Sequence, residues 1–146
     1  MRTPASIAGH PIHPMLVSLP IGLWIFSFAC DLTFVFGSGA SLWFTLGFYT
    51  MIGGVIGAVL AAIPGIIDML SLTDRPKTLA LTHMGLNLTI ILLYGVNVGM
   101  RIGQPAVVAG LPLALSIFAI IMLGVSGWIG GHLVYVHRVG VDERTP

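Results

Sequence analysis

The stretch WFTLGFYTMIGGVIGAVLAAIPGIIDML, residues 43–70, carries a single charged side chain, Asp68, close to its end. A membrane crossing takes about 20 predominantly apolar residues at roughly 1.5 Å each, so this run is long enough to span a bilayer. Three further runs, about 15–36, 79–100 and 111–137, have the same character. The whole chain of 146 residues holds six Lys and Arg and five Asp and Glu. It is 8% charged, where a soluble domain carries roughly 25%. With 56% of its residues apolar, it has too little polar surface to clothe a water-soluble body. The expected solvent is lipid.

The expected fold is all-α, a four-helix transmembrane bundle forming a single integral membrane domain over residues 1–146. The first run starts too close behind a Pro-rich stretch, and is too long, for a cleavable signal peptide, so it is read as a retained helix. Connections near 37–42, 71–78 and 101–110 are short, which favours antiparallel neighbours in an up-down-up-down order. Pro20 and Pro64 lie inside the first and second runs and should kink those helices. The carbonyls they release, nominally of Leu16 and Leu60, need partners inside the bundle or in a wet cavity. Arg2, Arg75, Lys77, Arg138 and Arg144 fall on one side of the membrane and Arg101 on the other. By the positive-inside rule, both termini face the cytoplasm in an inner (cytoplasmic) membrane.

Several function classes drop out at once. A net charge of +1 and the lack of any basic cluster argue against nucleic acid, and the single cysteine, Cys30, cannot pair within the chain. No nucleophile-base arrangement, phosphate-binding loop or pair of catalytic carboxylates is legible, so no stand-alone catalytic activity is expected.

The second run carries Gly53, Gly57, Ala61 and Gly65 at four-residue spacing, and the fourth carries Gly127 and Gly131. Such small-residue faces admit another helix, or a flat ligand, at close range.

All five histidines fall toward one membrane face: His10 and His13 before the first run, His83 early in the third, His132 and His137 at the end of the fourth. Asp68 joins them. The His10–Pro14 stretch reads as an extended segment leading into a helix, with His13-Pro14 suited to a first helical turn. His132 and His137 stand about 140° apart on an unbroken helix, so either one faces elsewhere or the last turn unwinds.

On the third run, at 100° per residue, His83, Asn87, Tyr94, Asn97 and Arg101 fall on one stripe running about 27 Å from interface to interface. Polar groups at membrane depth should face the bundle interior. Asp31 closes the first run eighteen residues after His13 and should lie level with Arg101, which predicts that the two charges meet.

Imidazole is a common ligand for haem iron, zinc and copper. A b-type haem needs one or two axial histidines from separate segments, here His13 or His83 together with His132 or His137, with His10 a further candidate at the same end. It also needs a flat slot, offered by the Gly53–Gly65 face, and cations for its propionates, offered by Arg75, Lys77 or Arg138. A bare iron, copper or zinc ion would draw instead on His13, Asp68, His83 and His137.

The order of these residues resembles the bacterial integral-membrane family known as domain of unknown function 2231. The resemblance rests on His10-Pro11-Ile12-His13-Pro14 running into Pro20-Ile21-Gly22, on Pro64-Gly65-Ile66-Ile67-Asp68, and on His83 with Asn87. It continues in Gly130-Gly131-His132-Leu133-Val134-Tyr135-Val136-His137 ending in Val139-Gly140-Val141. It implies a four-helix membrane domain. Some similar proteins are joined to Rieske-type or cytochrome-type modules, which implies an electron-transfer setting. Two positions depart from the pattern: Ser18, where a further histidine is common, and His132, where an acidic residue is common. The leading expectation is a small membrane redox subunit binding haem b near the cytoplasmic face. The alternatives are a proton or ion relay or transport protein using the third-run stripe, and a structural or assembly subunit. The expected partners are the lipid bilayer, a redox partner or larger membrane complex, and further copies of the chain in a homo-oligomer.

Overall fold

The computed structural model describes residues 3–104 and 107–141. Four long helices make up most of it: α1 (Ile12–Phe36), α2 (Ser41–Leu70), α3 (Asp74–Arg101) and α4 (Leu111–Tyr135). A short antiparallel hairpin, β1 (Ser6–Ile7) with β2 (His10–Pro11), precedes them. Each helix is long and apolar enough to cross a membrane. Large side chains such as Leu92, Phe118, Ile121 and Trp128 point outward along them, the apolar exterior that a lipid solvent requires. The chain is a multi-pass membrane protein built as an all-α four-helix bundle.

Several helix ends differ from the sequence expectation, α2 among them, which begins at Ser41 and not 43. α1 begins at Ile12, not near 15, because Pro14 sits in the first turn, where its missing N–H has no intrahelical partner to lose. α3 begins at Asp74, not near 79, for the same reason at Pro76, so Arg75 and Lys77 lie on a helix and not in a loop. α4 stops at Tyr135, short of 137. In the hairpin, Ala8 and Gly9 both have positive φ, 49° and 81°, as a two-residue primed turn requires.

The helices meet through polar contacts at both ends. At one end, Arg101 on α3 donates to both carboxylate oxygens of Asp31 on α1, at 2.6 and 2.7 Å, so the two charges meet as the register predicted. Arg101 Nε donates to Asn97 Oδ1, and the Asn97 amide donates to the Pro112 carbonyl and Ser116 Oγ of α4. Ser27 Oγ ties α1 to the Gly47 carbonyl of α2. At the other end, His13 on α1 reaches Ala61 on α2, and His83 on α3 reaches Ser126 on α4. The start of α1 thus lies beside the end of α2, and the start of α3 beside the end of α4.

An apolar layer separates the two ends: Trp24, Met51, Ile90, Tyr94, Ala119 and Leu123 are buried together. The Trp24 and Tyr94 rings stack with centres 4.6 Å apart, joining α1 to α3 across the bundle. Pro20 and Pro64 are both buried inside their helices. The carbonyl that His13 engages, Ala61, is one residue from Leu60, whose oxygen Pro64 cannot serve.

The small residues of α2 turn out to be the docking face for α1. A Cβ at Gly53 would meet Leu23, one at Gly57 would meet Leu19 and Pro20, and one at Gly54 would run into the Trp24 ring. The Gly53–Gly57 part of this face is therefore filled by α1 and offers no flat slot. On α4 the close approach occurs at Gly130, against the His83 ring, and not at Gly127 or Gly131. Gly54→Ala should force the buried Trp24 ring aside and lower stability by about 1–3 kcal/mol, read as a lower unfolding temperature in detergent. Gly85→Ala, where nothing lies within 4 Å, should not.

Candidate functional site

The end of the bundle that holds the histidines encloses a cavity of about 410 Å³, within the range of roughly 300–1,000 Å³ typical of small-molecule sites. All four helices line it, with Pro20, Ile21, Trp24, Ala58, Ile91 and Leu123 among its apolar walls. Its polar groups are few: His13, Asp68, His83, Asn87, Ser126, Thr3 and Tyr135.

His13, in the first turn of α1, directs Nδ1 to the Ala61 carbonyl at 2.8 Å. A carbonyl only accepts, so Nδ1 carries the proton and Nε2 keeps its lone pair. Gly65 makes room for this ring, because a Cβ there would press on it. His83, three turns into α3, directs Nδ1 to the Ser126 carbonyl at 3.0 Å and takes the same tautomer. The Asn87 amide, one turn on, donates to Ser126 Oγ at 2.7 Å and to the His83 carbonyl at 2.8 Å, and lies 3.1 Å from His83 Nε2. The two rings, carried on α1 and α3, have centres 6.3 Å apart and planes at 84°.

Asp68 faces the cavity, and its Oδ1 accepts the Ala5 backbone N–H at 2.8 Å. This bond holds the segment before the hairpin across the mouth, where Thr3 and Ala5 are buried and Gly140, beyond α4, packs against Pro11 and Thr3. Asp68 therefore already has a structural task.

The five histidines share one end but not one site. His13 and His83 line the cavity. His132 and His137 do not, and pair with each other at 5.2 Å between ring centres. His10 is exposed, with Nδ1 bonded to the Ala8 carbonyl. Among the described residues, no three His, Cys, Asp or Glu side chains converge as an ion would require, so His13, Asp68, His83 and His137 do not form one ligand cluster.

The α3 stripe does face inward, with Tyr94, Asn97 and Arg101 buried and His83 and Asn87 half-buried. It is nevertheless two networks. His83 and Asn87 belong with Ser126, and Asn97 and Arg101 with Asp31 and Ser116. Tyr94 lies between them with its hydroxyl buried and without a hydrogen-bond partner. Sequence reasoning missed Ser126 and Ser116, the hydroxyls that complete both networks. Their signal is slight, a lone serine in an apolar run, which bonding to its own helix explains equally well. Arg2 and Arg144, read as orienting charges, lie outside the described residues.

A family model described as a predicted membrane protein, DUF2231, matches residues 9–143. No curated protein and no solved structure matches the chain.

Proposed function

Since the chain belongs to the DUF2231 family of predicted membrane proteins, its task lies in the bilayer, and we propose that it is a small redox subunit that holds haem b in the histidine cavity and passes electrons. The carrying observation is the state of the two cavity imidazoles. Both come from separate helices, and both have Nδ1 pinned to a backbone carbonyl, the arrangement that fixes a ligating histidine and leaves Nε2 to bind a metal. Their ring centres are 6.3 Å apart, so the two imidazoles would be near enough to hold one metal centre between them.

His13 and His83 are the residues that would hold the group. Haem, when bound, supplies an iron that takes up and returns one electron. The remaining work falls to the chain. Ser126 and Ala61 fix the tautomers, and the apolar walls exclude water. The two amide hydrogens of Asn87 are taken by Ser126 Oγ and the His83 carbonyl, which leaves the His83 Nε2 lone pair free for a metal. Arg75 and Lys77, in the first turn of α3, supply positive charge at the same end for the propionates. A bare iron, copper or zinc ion has less support, because no third ligand stands with these two rings among the described residues.

The distribution of basic residues supports a cytoplasmic-side cavity, with both termini cytoplasmic, in an inner membrane. Arg75, Lys77 and Arg138 are at this end, and Arg101 at the other is buried against Asp31. A redox partner or larger membrane complex would meet the cavity end. A homo-oligomer is a further arrangement in which the chain could work.

A structural reading has its own support, since His13 and His83 each staple one helix to the next through a carbonyl, with or without a cofactor. The relay or transport reading draws less, because the apolar Trp24–Tyr94 layer divides the α3 stripe. Purification from haem-replete cells in mild detergent, with haem quantified against protein, separates these. Stoichiometric haem is expected; a folded, haem-free protein would overturn the proposal in favour of the structural reading.

A further inference from the structure

Outside the cavity, α4 ends in a second pair of imidazoles. After Tyr135 the backbone N–H groups of Val136 and His137 both return to the His132 carbonyl, at 3.0 and 3.3 Å. Side chains five residues apart stand about 140° apart on a regular helix. This turn instead brings the rings together, with centres 5.2 Å apart and planes at 72°. His137 Nε2 is buried and has no hydrogen-bond partner. A ring nitrogen in that condition calls for an occupant, whether water or an ion.

Ring separation indicates the angle at a shared ion. Two imidazoles bound at about 2.0–2.1 Å to one ion have ring centres roughly 5 Å apart when the angle at the ion is near tetrahedral, and roughly 6 Å apart when they oppose each other. The cavity pair matches the second case. The α4 pair matches the first.

We infer that His132 and His137 form a site for a late first-row divalent ion of the zinc or copper(II) type, separate from the cavity. Imidazole suits these ions, whereas magnesium and calcium take oxygen ligands. The chain supplies two ligands, so water or a small anion completes the coordination. The carbonyl of His132 holds both ligands in register, because the backbone N–H of His137 is bonded to it.

The test uses the full chain, purified in detergent without a histidine tag and titrated calorimetrically with zinc and then with copper(II). Wild type is expected to bind copper more tightly than zinc, following the Irving–Williams order. His132→Gln and His137→Gln should each weaken binding roughly tenfold or more, with helix content in circular dichroism unchanged. His13→Ala should bind both ions as wild type does. Wild-type protein that takes up neither ion, equal binding by the His132→Gln/His137→Gln double variant, or loss of binding in His13→Ala would each overturn the assignment. Haem content of the two Gln variants should stay at the wild-type level, so failure here is distinguishable from failure of the haem proposal.

Discussion

Asp31→Ala and Arg101→Ala should each come close to abolishing the folded protein. Both side chains are fully shielded from solvent and bonded through both carboxylate oxygens. Removing one partner leaves the other as an unpaired charge in a low-dielectric interior, which costs about 3–5 kcal/mol. The whole stability of a typical domain is about 5–15 kcal/mol, so the loss is large. The Asp31→Ala/Arg101→Ala double variant should be less impaired than the two single losses added together, because it buries no lone charge. Exchange of the charges, Asp31→Arg with Arg101→Asp, should restore part of the stability. The rest depends on Asn97, whose Oδ1 accepts from Arg101 Nε and would then face a carboxylate. Unfolding temperatures of wild type and the four variants in one detergent measure this. Strict additivity of the single losses would show that the pair contributes nothing as a pair.

The second large effect concerns the cofactor. His13→Ala and His83→Ala should each remove haem binding, while His10→Ala and His132→Ala should retain it, because only the first two rings line the cavity. Each cavity variant also loses a bond between helices, about 0.5–1.5 kcal/mol, which is small enough to leave the protein folded. Asn87→Ala distinguishes ligation from stapling. It removes the amide beside His83 Nε2 but leaves the His83 bond to Ser126, so haem binding should persist. Haem content measured across these five variants provides the comparison. Equal haem in His83→Ala and wild type would remove His83 from the site.

The fold was legible because long apolar runs broken by few charges have one economical solution in lipid. The Asp31–Arg101 pair was legible too. Its members stand at matching distances from the bundle's other end, and a buried charge needs a partner. The inward stripe on α3 followed from helical periodicity. Periodicity gives a face, however, and not the groups opposite it. Ser116, Ser126 and the Ala61 carbonyl therefore could not be foreseen, nor the division of the stripe at Tyr94. The start of α3 was misplaced because Pro76, a proline in a first turn, looks like a loop residue, whereas His13-Pro14 reads as suited to a first turn and only the length of α1 before it was missed. The fate of the five histidines turned on local backbone. A turn after Tyr135 drew His132 and His137 together, and a hairpin carried His10 to the surface. The spacing of His132 and His137 leaves that turn as one of two outcomes, and nothing in the sequence places His10.

The central claim, that His13 and His83 together hold a haem, is tested most directly by low-temperature electron paramagnetic resonance of the oxidised protein. Two imidazole ligands with planes near perpendicular, as the 84° between these rings implies, predict a low-spin ferric signal of strong anisotropy. A high-spin ferric signal, as from one histidine ligand, or the absence of any haem signal from folded protein, would contradict it.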